Sequence, residues 1–258
     1  MFDERALIAL LLSLIAGMAT LLGAAIIFIT KSKSERILSA SLGFAAGVML
    51  SVSFLDLWAQ SQASLVQYLG NRLGVIVSIA FLLLGILFAL GIDNFVPHEK
   101  TDSSENDKPH QNLYRVGFVS MLAIMFHNFP EGIATFSAGY EDMAMGISIA
   151  VAISMHNIPE GITVAMPIYY ATGKKKEALK YTFLSGMAEP IGALLAFLVL
   201  RPFINSFNLG AIFAIVAGIM IYIAIEELIP SSRQYGHQRL ALYATFAGII
   251  VMPLSHIF

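Results

Sequence analysis

Residues 117–169 read GFVSMLAIMFHNFPEGIATFSAGYEDMAMGISIAVAISMHNIPEGITVAMPIY, and the fold is decided in that stretch. It contains two apolar runs, 117–139 and 144–169, on either side of the polar Gly139-Tyr140-Glu141-Asp142. A helix crosses a bilayer in about 20 mainly apolar residues, so each run is long enough. So short a link forces the two helices to be antiparallel neighbours. Each run carries the same hexad, His127-Asn128-Phe129-Pro130-Glu131-Gly132 in the first and His156-Asn157-Ile158-Pro159-Glu160-Gly161 in the second.

Six further apolar stretches flank this pair, at 6–30, 37–58, 73–97, 178–201, 208–230 and 240–258. The chain has 258 residues, 57% of them hydrophobic and 12% charged. Soluble domains carry roughly 25% charge. Barrel strands would be about ten residues long and strictly alternating, and these runs are neither. The predicted class is therefore an all-α membrane protein of eight transmembrane helices in a single domain, 1–258. The polar segment 98–116 is expected to be a flexible cytoplasmic loop. The N-terminal run lacks a basic leader and a small-residue cleavage site, so it is read as a retained helix.

Twelve of the 15 Lys and Arg residues fall in alternate loops: Lys31, Lys33 and Arg36; Lys100, Lys108 and Arg115; Lys174, Lys175, Lys176 and Lys180; Arg233 and Arg239. By the positive-inside tendency those loops are cytoplasmic and both termini are extracytoplasmic. A net charge of −2 gives no general attraction to nucleic acid. The chain has no cysteine, so any metal site must use His, carboxylate, amide, Met or water.

Ionisable side chains inside membrane spans are costly and point to function. At 1.5 Å per residue, His127 and His156 each lie about 15 Å from their ends, near the bilayer midplane. Glu189 of the sixth stretch falls at the same depth. His127 and Glu131 share a helix face, as do His156 and Glu160. Pro130 and Pro159 deprive the carbonyls of Phe126 and Met155 of their helical partners, and a broken backbone at this depth suits a polar cavity. Gly132 and Gly161 permit close helix approach. Imidazole with carboxylate suits Zn²⁺, Fe²⁺, Mn²⁺ and similar ions. Carboxylates shared between helices could hold two metals side by side. Three glutamates together are tolerable only with a cation or bound protons. Asp56 near the outer end of the second stretch, and Glu226 and Glu227 near the inner end of the seventh, are either way-stations for an ion or interfacial charges.

Rival functions are a metal-selective channel with a continuous pore and, remotely, an intramembrane metalloprotease. The latter would need a His-Glu-x-x-His arrangement, which the chain lacks.

The paired His-Asn-x-Pro-Glu-Gly hexads resemble those of the ZIP family of divalent metal transporters, with flanking residues most similar to the bacterial ZupT-type branch. Ser41-Leu42-Gly43-Phe44-Ala45-Ala46-Gly47, Ser185-Gly186-Met187-Ala188-Glu189 and Glu227-Leu228-Ile229-Pro230 extend the likeness along the chain. Phe54-Leu55-Asp56-Leu57-Trp58 departs from it, because the branch often has Glu followed by Pro there. The resemblance implies an eight-helix bundle with helices 4 and 5 central, and helices 1–3 and 6–8 related by a pseudo-two-fold axis. It implies that His127, Asn128, Glu131, His156, Asn157, Glu160 and Glu189 bind a pair of transported ions. Zn²⁺ is the expected cargo, together with iron, manganese, cobalt and cadmium, and no organic cofactor is expected. It also implies uptake across a bacterial inner membrane by alternating access, with a homodimer in the lipid bilayer as the expected assembly.

Overall fold

A computed structural model describes residues 4–29, 34–95, 113–200 and 205–254, and among these it is helical without strands. Seven helices are long and apolar enough to cross a membrane. They are α1 (Glu4–Ala24), α2 (Glu35–Leu69), α3 (Asn71–Phe95), α4 (Leu113–Glu141), α5 (Met143–Thr172), α6 (Lys175–Leu195) and α7 (Ser206–Arg233). An eighth apolar helix, α8 (Gln238–Leu254), has 17 residues. α4 and α5 are joined through Asp142 alone, as the short link requires.

Three boundaries differ clearly from the sequence reading. α1 ends at Ala24 rather than at 30, with a turn at residue 25 and a short helix, Ile26–Ile29, after it. α2 does not stop at residue 58 but continues to Leu69. Ala59 to Leu69 is rich in Ala, Gln and Leu, which favour helix whatever their polarity. It ends at Gly70, whose φ of 81° breaks the helix. The extension buries Leu65, and Ser61 Oγ donates to the Gly210 carbonyl at 2.7 Å. The loop expected at 98–116 ends early, because 113–116 form the first turn of α4. The remainder of that loop, with His98 and His110, lies outside the described residues.

α1, α4, α5 and α6 pack on one another, and α2, α3, α7 and α8 form a second group. The groups meet where α2 lies on α5 and α7 on α4. Glycines set the crossings. A Cβ on Gly132 of α4 would overlap the Glu189 carbonyl of α6, and one on Gly161 of α5 would overlap the Thr20 carbonyl of α1. In the reverse direction, Gly192 of α6 abuts Phe129 and Gly23 of α1 abuts Ile158. Phe129 and Ile158 hold the same place in the two hexads, so α1 sits on α5 as α6 sits on α4. The second group repeats the pattern, with Gly47 of α2 against Thr245 of α8 and Gly218 of α7 against Leu82 of α3. Without side chains in the way, backbones approach closely enough for van der Waals packing to hold helices together in lipid.

The starts of α2, α4, α6 and α8 and the ends of α1, α3, α5 and α7 gather at one end, here termed the basic end. Tyr170 Oη donates to the Ser34 carbonyl there at 3.0 Å, and the Lys175 ammonium lies 4.8 Å from the Phe28 ring centre. Facing outward, α3 exposes Leu73, Ile76, Leu83, Leu84 and Leu87, an apolar face that suits lipid. Gly91 of α3 has open space where a Cβ would stand. Gly91→Ala is therefore expected to leave the packing intact and raise stability by up to about 1 kcal/mol through helix propensity. Thermal unfolding in detergent measures this, and a lowered midpoint would contradict it.

The hexad prolines do not interrupt their helices. α4 and α5 run through Pro130 and Pro159 without a break. One missing N–H is absorbed locally by a helix that neighbours hold on several sides. The departures from α-helical pitch occur instead as π-turns at Val52–Trp58, Ala196–Leu200 and Ala224–Leu228. Two of these carry Asp56 and the Glu226–Glu227 pair. A π-turn adds a residue to the turn and re-aims the side chains around it.

Candidate metal centre

Halfway along α4 and α5 the two hexads face each other. His127 Nε2 lies 3.1 Å from Glu131 Oε1 and 3.3 Å from Glu160 Oε1, and His156 Nε2 lies 2.9 Å from Glu131 Oε1. Glu131 Oε1 is thus shared by both imidazoles, one from its own helix and one from the antiparallel partner. His127, Glu131 and His156 can each offer one ligand atom within 4.8 Å of the others. Two ligands about 2.0–2.1 Å from one zinc ion at a tetrahedral angle stand about 3.3 Å apart. The observed spacings lie close to that edge.

The group is buried, with His127 fully enclosed and Glu160 1% exposed. His127 Nε2, His156 Nε2, Glu131 Oε2 and both oxygens of Glu160 are buried without a well-directed hydrogen bond among the described residues. Nearly all buried polar atoms in folded proteins find a partner. A cluster of donor atoms this close together, sharing no directed hydrogen bonds, suits a cation at its centre. Among the described residues the ion-pair partners of Glu131 and Glu160 are the two histidines.

The asparagines play matching parts. Asn128 Nδ2 donates to the Ser185 carbonyl of α6 at 3.2 Å, and Asn157 Nδ2 donates to the Ala16 carbonyl of α1 at 2.8 Å. Each amide is fixed by its nitrogen, and each Oδ1 is left buried without a hydrogen-bond partner. An amide held this way keeps its oxygen available to a donor or a cation. Asn157 Nδ2 also donates to Glu189 Oε2 at 2.9 Å, which links the fully buried Glu189 to the hexads. At the corresponding place on α1 stands Thr20, whose hydroxyl donates to the Gly17 carbonyl at 2.7 Å.

A cavity of about 140 Å³ runs from Glu131 and His156 to Asp56 and Gln60 on α2. Ala134, Ile153, Phe213 and Met252 are among its walls. All of these residues lie in the half of the bundle away from the basic end. The space admits several waters. Asp56 is thereby joined to the central cluster. Glu226 and Glu227 are not: they lie at the basic end, Glu226 exposed and Glu227 6% exposed.

The sequence reading overlooked two charged residues there: Asp93 itself, and Arg115 in its burial. Arg115, assigned above to a loop, lies in the first turns of α4. Its Nη1 donates to Glu227 Oε1 at 2.6 Å, and its Nη2 pairs with Asp93 of α3. Tyr222 Oη donates to Asp93 Oδ2 at 3.1 Å. The available signal was that Asp93, Arg115 and Glu227 all fall near helix ends on the same side.

A family model described as ZIP Zinc transporter matches residues 5–116 and 97–255. The chain is 43% identical over 262 residues to the "Zinc transporter ZupT" of Oceanobacillus iheyensis, covering 98% of each chain. It is 44% identical over 253 residues to that of Streptococcus mutans, covering 96% of each. It is 43% identical over 269 residues to that of Nitratidesulfovibrio vulgaris, covering 98% of this chain and 97% of the other.

Proposed function

Because this chain belongs to the ZIP family of zinc transporters, we propose that it takes up divalent transition-metal ions, zinc foremost, through the cluster between α4 and α5. It is a multi-pass membrane transporter and not an enzyme. The observation that carries the reading is the buried convergence of His127, Glu131, His156 and Glu160 at one end of a cavity, with ligand atoms left without directed hydrogen bonds.

The proposed ligands are His127, Asn128, Glu131, His156, Asn157, Glu160 and Glu189. We further propose that the site holds two ions side by side, with Glu131 bridging them. The two imidazoles are 5.7 Å apart between ring centres, with Glu131 between them, and paired metals bridged by carboxylates stand about 3.5–4 Å apart. Iron, manganese, cobalt and cadmium share this ligand preference. Asp56 is the proposed outer way-station, since it lines the same cavity.

We place the single domain in the bacterial inner membrane as eight crossing helices, with the basic end cytoplasmic and both termini outside. The matched glycine contacts support a pseudo-two-fold axis relating α1–α3 to α6–α8, with α4 and α5 between. A cavity on one side of the cluster and packed side chains on the other support alternating access rather than a continuous pore. A homodimer in the bilayer completes the proposal.

The test is zinc uptake into liposomes containing the purified protein and a zinc-sensitive dye. Saturable inward flux, competed by the other metals, is expected. Flux no faster than in empty liposomes would remove the proposal.

A further inference from the structure

We infer that Arg115, clasped between Asp93 and Glu227, is the residue that holds the cytoplasmic end shut while the metal cluster faces outward. The inference rests on the alternating-access reading above and identifies the gate that reading requires.

The clasp joins three helices across the seam between the two helix groups. Arg115 belongs to α4, Asp93 to α3 and Glu227 to α7, and all three are largely buried. Tyr222 holds Asp93 from the other side. Twelve residues separate Arg115 from His127, about 18 Å of helix. Between them Val116, Val119 and Ala123 of α4 pack in one core with Met220 and Ile223 of α7. An ion leaving toward the basic end along the face between α4 and α7 meets this packing and then the clasp. Separating α4 from α7 would strand two carboxylates and a guanidinium in a partly buried place, which is costly. The clasp therefore favours the closed arrangement.

The opposite end differs at the matching positions. Nine residues past Gly47 of α2 comes Asp56, and nine past Gly218 of α7 comes Glu227. Twelve residues before His127 stands Arg115, whereas twelve before His156 stands Ala144, which is exposed. The position on α5 that matches the clasp's cation thus has no charge to offer. The cavity is found on that side, reaching Asp56.

Ser120 makes the inference testable. It lies on α4 between Arg115 and His127, is fully buried, and its hydroxyl has no hydrogen-bond partner among the described residues. The natural chain has no cysteine, so Ser120→Cys introduces a single thiol. Labelling of this variant in nanodiscs by a water-soluble maleimide is expected to be slow. Adding Arg115→Gln, Asp93→Asn or Glu227→Gln should each speed labelling by about tenfold or more, the population shift expected when a buried ion pair is broken. Arg115→Lys, which keeps the charge, should restore most of the protection. The three neutral variants are independent, so one that fails to fold leaves two readouts.

Labelling unchanged in the folded variants would overturn the clasp as a gate, while zinc uptake by the unaltered protein would stand. Absence of zinc uptake by the unaltered protein, with the labelling contrast preserved, would overturn the transport reading and leave the clasp as the latch of a conformational change.

Discussion

Zinc uptake is expected to fall to the background of empty liposomes when Glu131 and Glu160 are both replaced by alanine. Glu131 Oε1 touches both imidazoles, and Glu160 Oε1 touches His127. At an effective dielectric of about 20, one carboxylate about 4 Å from a unit charge contributes roughly 4 kcal/mol, close to three decades in affinity. Two carboxylates facing a divalent ion contribute more, so loss of binding precedes any question of rate. The fold should survive, because clustered buried carboxylates are themselves costly and the imidazoles left behind can be neutral. The unfolding midpoint without zinc should stay near that of the unaltered protein, while the rise produced by added zinc should vanish. Wild-type flux in a folded double variant would show that the ion passes elsewhere.

Gly161→Leu is expected to prevent folding. A Cβ at residue 161 would overlap the Thr20 backbone carbonyl, and backbone cannot rotate aside as a flexible side chain can. Overpacking within a core costs about 1–3 kcal/mol when side chains yield. Here α1 must lift off α5, which also breaks the 2.8 Å bond from Asn157 to the Ala16 carbonyl. The measurement is the yield of monodisperse protein by size-exclusion chromatography, with Gly91→Ala as the control at a position with open space. Equal yields for the two variants would contradict the close approach of α1 and α5.

Much of this architecture was legible in the chain because the bilayer restricts the choices. Apolar runs of spanning length must be helices, and Asp142 leaves no room for α4 and α5 to be other than antiparallel neighbours. The meeting of His127, Glu131, His156 and Glu160 followed from counting residues along those two helices. What the counting missed depended on rotation and on tertiary partners. The prolines suggested a break at the hexads, yet the helices close around them and the π-turns fall elsewhere. The second apolar stretch ended at 58, but helix propensity carries the helix on through Ala59 to Leu69 beyond the apolar layer. The carbonyls of Ala16 and Ser185 that orient the asparagines belong to side-chain-independent backbone, so composition gave no hint of them. Arg115 was counted with the loop charges because its partners, Asp93 and Glu227, are distant in sequence.

Thr20 has a consequence for the balance between the two halves. It occupies on α1 the place that Glu189 occupies on α6, against Gly161 as Glu189 is against Gly132. The two halves are thus unequal at a matched position, with a hydroxyl on α1 where α6 carries a carboxylate. Beyond Glu131 and Glu160 of the central helices, the residues at 20 and 189 therefore set how many carboxylates the proposed site holds.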